Sequence, residues 1–157
     1  MGRRFVLLLL LTHAFIATIK CQKPVLSGSW QLQSMNDDIT YYNFLKDSVA
    51  IINTTKNISN AQQVVARVKT VMAMFKNTSI DFTEDGFYKM YGSKMGEGNG
   101  KFSIDSANSI LFFKKIIDLN LLDASYPYKL ENNVLKLYAK EYQYGKMIYT
   151  FIKQDAE

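Results

Sequence analysis

Histidine and cysteine are almost missing from this sequence. Each occurs once in 157 residues, as His13 and Cys21. His13 lies in an apolar N-terminal segment that we expect to be removed, so the rest of the chain has no imidazole for general base catalysis near neutral pH or for zinc binding. The single cysteine permits no intramolecular disulfide bond. Ser-His-Asp and Cys-His mechanisms are therefore excluded, and we expect neither a metal nor a cofactor.

Carboxylate pairs remain as candidates for acid–base chemistry, but the two adjacent pairs have structural explanations. Asp37-Asp38 precedes a predicted helix, where negative charge is favourable near the N-terminus. Glu84-Asp85 precedes a glycine in a predicted tight turn. The sequence therefore favours a non-enzymatic protein.

A long hydrophobic run is present at the N-terminus. The basic head MGRR is followed by the apolar run FVLLLLLTHAFIATI and then by KCQKP. A basic head, an apolar middle and an early stop are typical of a secretory signal, and the run is shorter than the roughly 20 residues that a membrane span needs. We expect residues 1–20 to be a signal peptide, with a retained anchor as the alternative.

Little net positive charge remains once this signal peptide is removed. Lys+Arg falls from 19 to 16 because Arg3, Arg4 and Lys20 leave, while Asp+Glu stays at 14, so the formal charge drops from +5 to +2. The remaining charges are mixed in sign and form no basic stripe. The sequence therefore predicts no nucleic-acid partner.

Cys21 leaves two alternatives for the mature N-terminus. If cleavage precedes Cys21, the cysteine carries a lipid anchor, although Lys20 stands where a lipoprotein usually has a small residue. If cleavage follows Cys21, Gln22 becomes the first residue. In both cases we expect an exported protein of the periplasm or cell envelope, with residues 21–26 as a short tether. Lipidation would attach it to the outer membrane.

Alternating apolar and polar residues predict about eight β-strands joined by short turns. Ile80 and Phe82, for example, alternate with polar neighbours. Asn132-Asn133 is a predicted hairpin turn because asparagine tolerates the left-handed region. Successive short turns indicate antiparallel neighbours in up-and-down order, which can close into an eight-stranded barrel. We therefore predict a mostly β fold with one barrel over residues 27–154.

Residues 40–76 break the strand pattern and predict a two-helix insertion between strands 1 and 2. In the first half, apolar residues recur at helical spacing: Tyr41, Phe44, Leu45, Val49 and Ile52. The second half carries a longer stripe: Ala61, Val64, Val65, Val68, Val71, Met72 and Phe75. Each predicted helix has one apolar face, and we expect these faces to cover an end of the barrel.

The chain's single tryptophan lies in Gly28-Ser29-Trp30, at the start of the first predicted strand. Together with FTEDGFYKMYG, GKFSID, YPYKLENNVLKLY and YTFIKQ, this motif resembles the lipocalin-like domains of small bacterial cell-envelope proteins, over residues 25–154. The resemblance implies a barrel in which the tryptophan packs across the closed end and the glycine permits close approach. It also implies binding of small, mostly apolar molecules. The long insertion and the absence of the disulfides of many animal lipocalins depart from the family.

Aromatic residues are abundant, with ten tyrosines and ten phenylalanines, and tyrosine combines an apolar ring with a hydroxyl that can orient a ligand. We predict a monomer that binds a small apolar or amphipathic molecule inside the barrel. The predicted ligand-binding residues are Tyr41, Phe82, Tyr88, Phe102, Phe112, Tyr128 and Tyr149. The alternative is a protein-interaction module with a filled barrel, whose outer face or insertion docks an envelope partner.

Overall fold

The computed structural model describes residues 26–53, 60–92, 98–117, 120–141 and 145–154. The predicted signal segment and Cys21 lie outside these residues. The described chain forms ten strands, one α-helix and one 3-10 turn. In chain order they are β1 (Gly28–Asn36), β2 (Thr40–Asn43), β3 (Ser48–Ile51), α1 (Ala61–Met72), the 3-10 turn (Ala73–Phe75), β4 (Ser79–Phe82), β5 (Phe87–Tyr91), β6 (Gly98–Asp105), β7 (Ile110–Ile117), β8 (Asn120–Glu131), β9 (Val134–Glu141) and β10 (Gly145–Lys153).

Eight of these strands close into an antiparallel barrel. Strands β4 to β10 pair in sequence order, and β1 joins the two ends of the row. Trp30 shows the closure, because it lies opposite Ile80 of β4 on one side and Lys153 of β10 on the other. The prediction of a mostly β, eight-stranded antiparallel barrel is therefore confirmed.

The first predicted helix is wrong, because residues 40–51 form the β2–β3 hairpin. The hairpin extends the sheet from the second half of β1, where Asn36 lies opposite Tyr41. Its four-residue turn ends at Asp47, which has a φ of 45°, and the Asn43 side chain accepts a hydrogen bond from the Lys46 N–H. Leu45 is 69% exposed. The apolar residues at helical spacing therefore do not share one buried face, because Leu45 lies in the exposed turn of the hairpin.

The structure has a single α-helix in its described residues, and this helix follows β3 instead of lying between the first two strands. Its inward face carries Val64, Val65, Val68 and Met72, whereas Val71 is exposed. The helix contacts β3 and β2, so its apolar face covers the hairpin. No described helix is long and apolar enough to span a bilayer.

The barrel core follows the predicted alternation along each strand. Leu135 and Leu137 are buried, and the intervening Lys136 is exposed. The β8–β9 turn uses Asn132 and Asn133 with φ values of 49° and 61°, as the sequence predicts. Such turns suit the right-handed twist of the strands they connect.

Trp30 closes the barrel end where this turn lies. It is 1% exposed, and its indole N–H donates a hydrogen bond of 2.7 Å to the Leu26 carbonyl oxygen. The Lys153 ammonium lies 5.8 Å from the Trp30 ring centroid. Gly28 has a φ of 113°, and a Cβ there would lie 3.0 Å from Lys153 Cε. The glycine therefore permits both a backbone conformation closed to most residues and the approach of this lysine.

Candidate functional site

Strands β8 and β9 are neighbours in the barrel wall, and we call the boundary between them the seam. The two strands pair along only part of this seam. Described pairs run from Glu131 opposite Val134 to Tyr128 opposite Leu137. Beyond that point β8 pairs with β7, and β9 pairs with β10, through the remaining residues of both strands. The two strands therefore separate toward the end of the barrel away from Trp30.

Pro127 explains where the pairing stops. The Tyr128 N–H donates to the Ser109 carbonyl oxygen at 2.9 Å, on the β7 side of the strand. Backbone N–H groups point alternately toward the two neighbouring strands, so the nitrogen of residue 127 points toward β9. Its partner there would be Tyr138 if the β8–β9 pairing continued by one more residue. Proline has no N–H, so the next hydrogen-bonded pair of the ladder cannot form in full.

A cleft of about 590 Å³ occupies this separation. Its lining residues come from β8, β9 and β10: Ala124, Ser125, Tyr126, Pro127, Tyr138, Ala139, Lys146, Met147 and Ile148. Ala139 and Met147 belong to the buried core, whereas Ser125 and Lys146 are exposed. The lining therefore includes both faces of the sheet, and the cleft leads from the outer surface to the barrel interior. Its volume is in the range typical of small-molecule sites.

The inner wall of the cleft is backed by a cluster of aromatic rings. Tyr126 lies 5.8 Å from Phe113, centroid to centroid, and Tyr88 lies 4.9 Å from the same ring in an edge-on arrangement. Phe82 joins at 6.0 Å from Phe113, and its other neighbour is Phe102 at 4.8 Å. The cluster runs across the barrel interior from β4 to β8, which leaves apolar surface behind the cleft.

Among the described lining residues, Ser125, Tyr126, Tyr138 and Lys146 carry polar groups. The exposed Lys146 has no carboxylate within 4.0 Å among the described side chains. Deeper in the barrel, burial raises the pKa of Tyr88, and the neighbouring Tyr126 raises it further. Tyr88 therefore stays protonated and neutral at physiological pH. The arrangement offers a mainly apolar slot with three hydroxyl groups in its lining and a cation at its outer rim.

The seven predicted ligand-binding residues do not line this cleft. Phe82, Tyr88 and Phe102 belong to the aromatic cluster. Tyr128 and Tyr149 are half-buried members of the inner wall. Their binding role stays a prediction.

The other two predicted binding residues lie elsewhere. Tyr41 is half-buried on the β2–β3 hairpin, outside the eight barrel strands. Phe112 is 37% exposed and lies between the buried Leu111 and Phe113, so it faces outward. An outward ring cannot line the barrel interior, although its role in binding is otherwise a prediction.

Four residues of the cleft are absent from the predicted binding residues: Pro127, Tyr138, Lys146 and Met147. Pro127 carried a readable signal, because proline inside a strand pattern marks an edge or an interruption of the ladder. The other three residues could not be identified without knowing how β8, β9 and β10 pair with one another. Lys146 and Met147 are adjacent in sequence, and strand alternation places one at the rim and the other inside.

Two carboxylates of the described chain serve local structure. Asp37 accepts hydrogen bonds from the N–H groups of Ile39 and Thr40, and Asp105 accepts them from Ala107 and Asn108. No group of three or more His, Cys, Asp or Glu side chains in the described ranges is arranged to hold a metal.

Comparison with known proteins adds a structural neighbour of low sequence identity. The sequence matches no protein-family model and no curated protein. A DUF4847 family protein from Bacteroides vulgatus ATCC 8482, known from its crystal structure, is 16% identical to this chain, with a TM-score of 0.48. The match covers 82% of this chain and 95% of that one. The chain's own strand pairing defines it as an eight-stranded antiparallel barrel with a lateral cleft.

Proposed function

We propose that this protein is an exported, lipocalin-type barrel that binds a small amphipathic molecule in the β8–β9 cleft and does not act as an enzyme. The observation that carries the proposal is the cleft of about 590 Å³, which passes through the wall beside Pro127. The basic head and apolar run at residues 1–20 support export to a bacterial envelope.

Binding would be driven mainly by desolvation of apolar surface. The inner part of the cleft offers Tyr126, Ala139 and Met147, which would contact the apolar body of a ligand. Methionine side chains adapt to irregular shapes, which suits ligands of varied outline. Lys146 at the rim would hold an acidic or strongly polar end.

The cleft is a better binding position than the middle of the barrel. The aromatic cluster already places rings within 4.8–6.0 Å of one another across the interior. A ligand there would have to displace packed rings, whereas the cleft requires only the removal of water. The alternative function, a protein-interaction module with a filled barrel, predicts no bound small molecule.

Native mass spectrometry of protein isolated from its host's envelope tests the proposal. A mass excess that disappears on denaturation supports a retained ligand, and bare protein in both spectra favours the interaction module. The denatured mass also shows whether Cys21 is acylated or removed.

A pair of variants then locates the site. Ser125→Trp places a large ring at an exposed position that lines the cleft, and Ser103→Trp makes the same change at an exposed position of β6 away from it. We expect the first variant alone to lose the bound mass. Equal retention in both would contradict binding in the cleft.

A further inference from the structure

The β2–β3 hairpin and the helical segment after it carry the excess positive charge of the described side chains. In the described part of residues 40–76, four basic side chains stand against one acidic side chain, Asp47. All four basic side chains are exposed: Lys46, Arg67, Lys69 and Lys76. Elsewhere, the described side chains comprise seven basic and seven acidic ones. The excess of three positive charges therefore lies on the hairpin and the helical segment, and the rest of the described chain is balanced.

Asp47 offsets only part of this charge. Tyr42 donates a hydrogen bond to its carboxylate, and this bond, together with the charges of Lys69 and Lys76, lowers the pKa of Asp47. None of the four basic side chains has a carboxylate within 4.0 Å among the described side chains. The influence of both lysines on Asp47 also indicates that the hairpin turn lies near the C-terminal part of the helical segment.

Exposed apolar side chains are concentrated in the same segment. Seven large hydrophobic side chains are exposed in the described chain, and four of them belong to residues 40–76: Leu45, Ile52, Val71 and Met74. Leu45 lies in the hairpin turn next to Lys46. Val71 follows Arg67 by four residues and precedes Met74 by three, and residues at these spacings are neighbours on a helix surface. We call Leu45, Val71, Met74 and the four basic side chains the basic patch.

We propose that the basic patch docks the protein onto a bilayer surface that contains anionic lipids. Its cations approach the head groups, and its exposed apolar side chains enter the interface, as in amphipathic segments that lie on membranes. Leu45 projects from a turn and is 69% exposed. A bilayer adapts to a projecting side chain, whereas a protein partner has to match its shape. Docking needs no ligand in the cleft and goes beyond the function proposed above.

Vesicle flotation tests the docking. The mature form that begins at Gln22 carries neither the apolar N-terminal run nor an acyl chain on Cys21, so neither can account for membrane binding. We expect it to float with vesicles of phosphatidylcholine mixed with phosphatidylglycerol and to stay unbound with pure phosphatidylcholine. Equal binding to both vesicles would overturn the proposal. Binding to neither would also overturn it and would leave an acidic protein as the partner of the patch.

Charge neutralisation locates the docking surface. Lys69→Gln with Lys76→Gln removes two cations of the patch, and Lys101→Gln with Lys114→Gln removes two from β6 and β7, across the barrel from β1. Each cation near an anionic surface contributes roughly fivefold to partitioning, so the first pair should lower binding about 25-fold. The control pair should lower it only a few-fold. Equal losses would show a dependence on net charge alone and overturn the docking surface.

Fluorescence quenching tests whether the apolar part of the patch enters the bilayer. Leu45→Trp places an indole in the hairpin turn, and Phe112→Trp places one at an exposed position of β7 as a control. Vesicles with brominated acyl chains should quench the first variant and leave the second near the wild-type signal of the buried Trp30. Equal quenching of both variants, or of neither, would overturn insertion at the patch. Circular dichroism melts confirm that each variant is folded.

Discussion

The seam between β8 and β9 is closed near Trp30 and open at the other end, although the same two strands form both parts. In the closed part Leu130 lies opposite Leu135, which is fully buried. In the open part Pro127 and Tyr138 are exposed and the strands separate. In this barrel the wall opens at the position where one backbone donor is missing, and the strand order stays the same.

The two parts also differ in what holds them. The closed end is fixed by contacts among three chain segments, since the Lys153 N–H donates to the Asn133 carbonyl oxygen at 3.0 Å and the Lys153 side chain covers Trp30. At the open end each strand is held by one described neighbour. Stability and binding are therefore expected to reside in different parts of the same seam.

The largest expected effect comes from the closed part. Leu135→Ala removes a fully buried side chain and should lower the free energy of unfolding by about 2–5 kcal/mol, through lost burial and the cavity left behind. Tyr138→Ala in the open part should change it by less than about 1 kcal/mol because the ring is partly exposed. Urea unfolding of both variants measures the contrast. Similar losses would mean that the open part is as tightly packed as the closed part.

Gly28→Ala tests the closed end through its backbone. The φ of 113° is unfavourable for alanine, and the new Cβ would press on Lys153 Cε, so we expect a loss of about 1–3 kcal/mol. Combining Gly28→Ala with Lys153→Ala separates the two causes. A loss that disappears in the double variant would indicate steric contact rather than backbone strain.

Pro127→Val should close the open part. Valine restores the N–H that faces β9, so the ladder can extend to Tyr138 and raise the free energy of unfolding by about 1 kcal/mol. The retained mass in native spectra should fall because the cleft narrows. Hydrogen exchange of the residue 127 amide measures the new bond. An unprotected amide would contradict proline as the cause of the opening.

The remaining effect concerns the β2–β3 hairpin, which lies outside the seam. Burial, together with the hydrogen bond to Asp47 and its charge, raises the pKa of Tyr42 to about 12. The folded state therefore holds this proton more tightly than the unfolded chain. The resulting stability is complete below the usual pKa of 10.0 and is lost as the pH rises toward about 12.

Urea midpoints at about pH 8 and about pH 11 measure this loss. Tyr42→Phe should reduce the alkaline decline, leaving the part due to Tyr88 and Tyr128, whose pKa values burial also raises. An unchanged decline in the variant would show that the Tyr42–Asp47 pair does not contribute.

Local patterns predicted the parts of the fold that local chemistry determines. The Asn132-Asn133 turn and the alternation of Leu135 and Leu137 follow from backbone preference and strand period. The helix at 61–72 follows from its apolar stripe. These features require no knowledge of which strands become neighbours.

The features that the sequence did not reveal depend on distant partners. Residues 40–51 form a hairpin because β1 supplies a neighbour for Tyr41 and Tyr42, which outweighs helical spacing. The cleft depends on the direction in which the nitrogen of Pro127 faces, and this is known only once Tyr128 is paired. The position of the cleft therefore depends on how the strands are aligned with their neighbours, and neither composition nor periodicity determines this alignment.

Photocrosslinking with an amphipathic molecule that carries a diazirine on its apolar chain tests the central claim most directly. The label, mapped by peptide mass spectrometry, should lie on Tyr126, Tyr138 or Met147, the inner and outer walls of the cleft. Labels confined to Phe102, Tyr128 or Tyr149 would place the ligand in the middle of the barrel and contradict the lateral site.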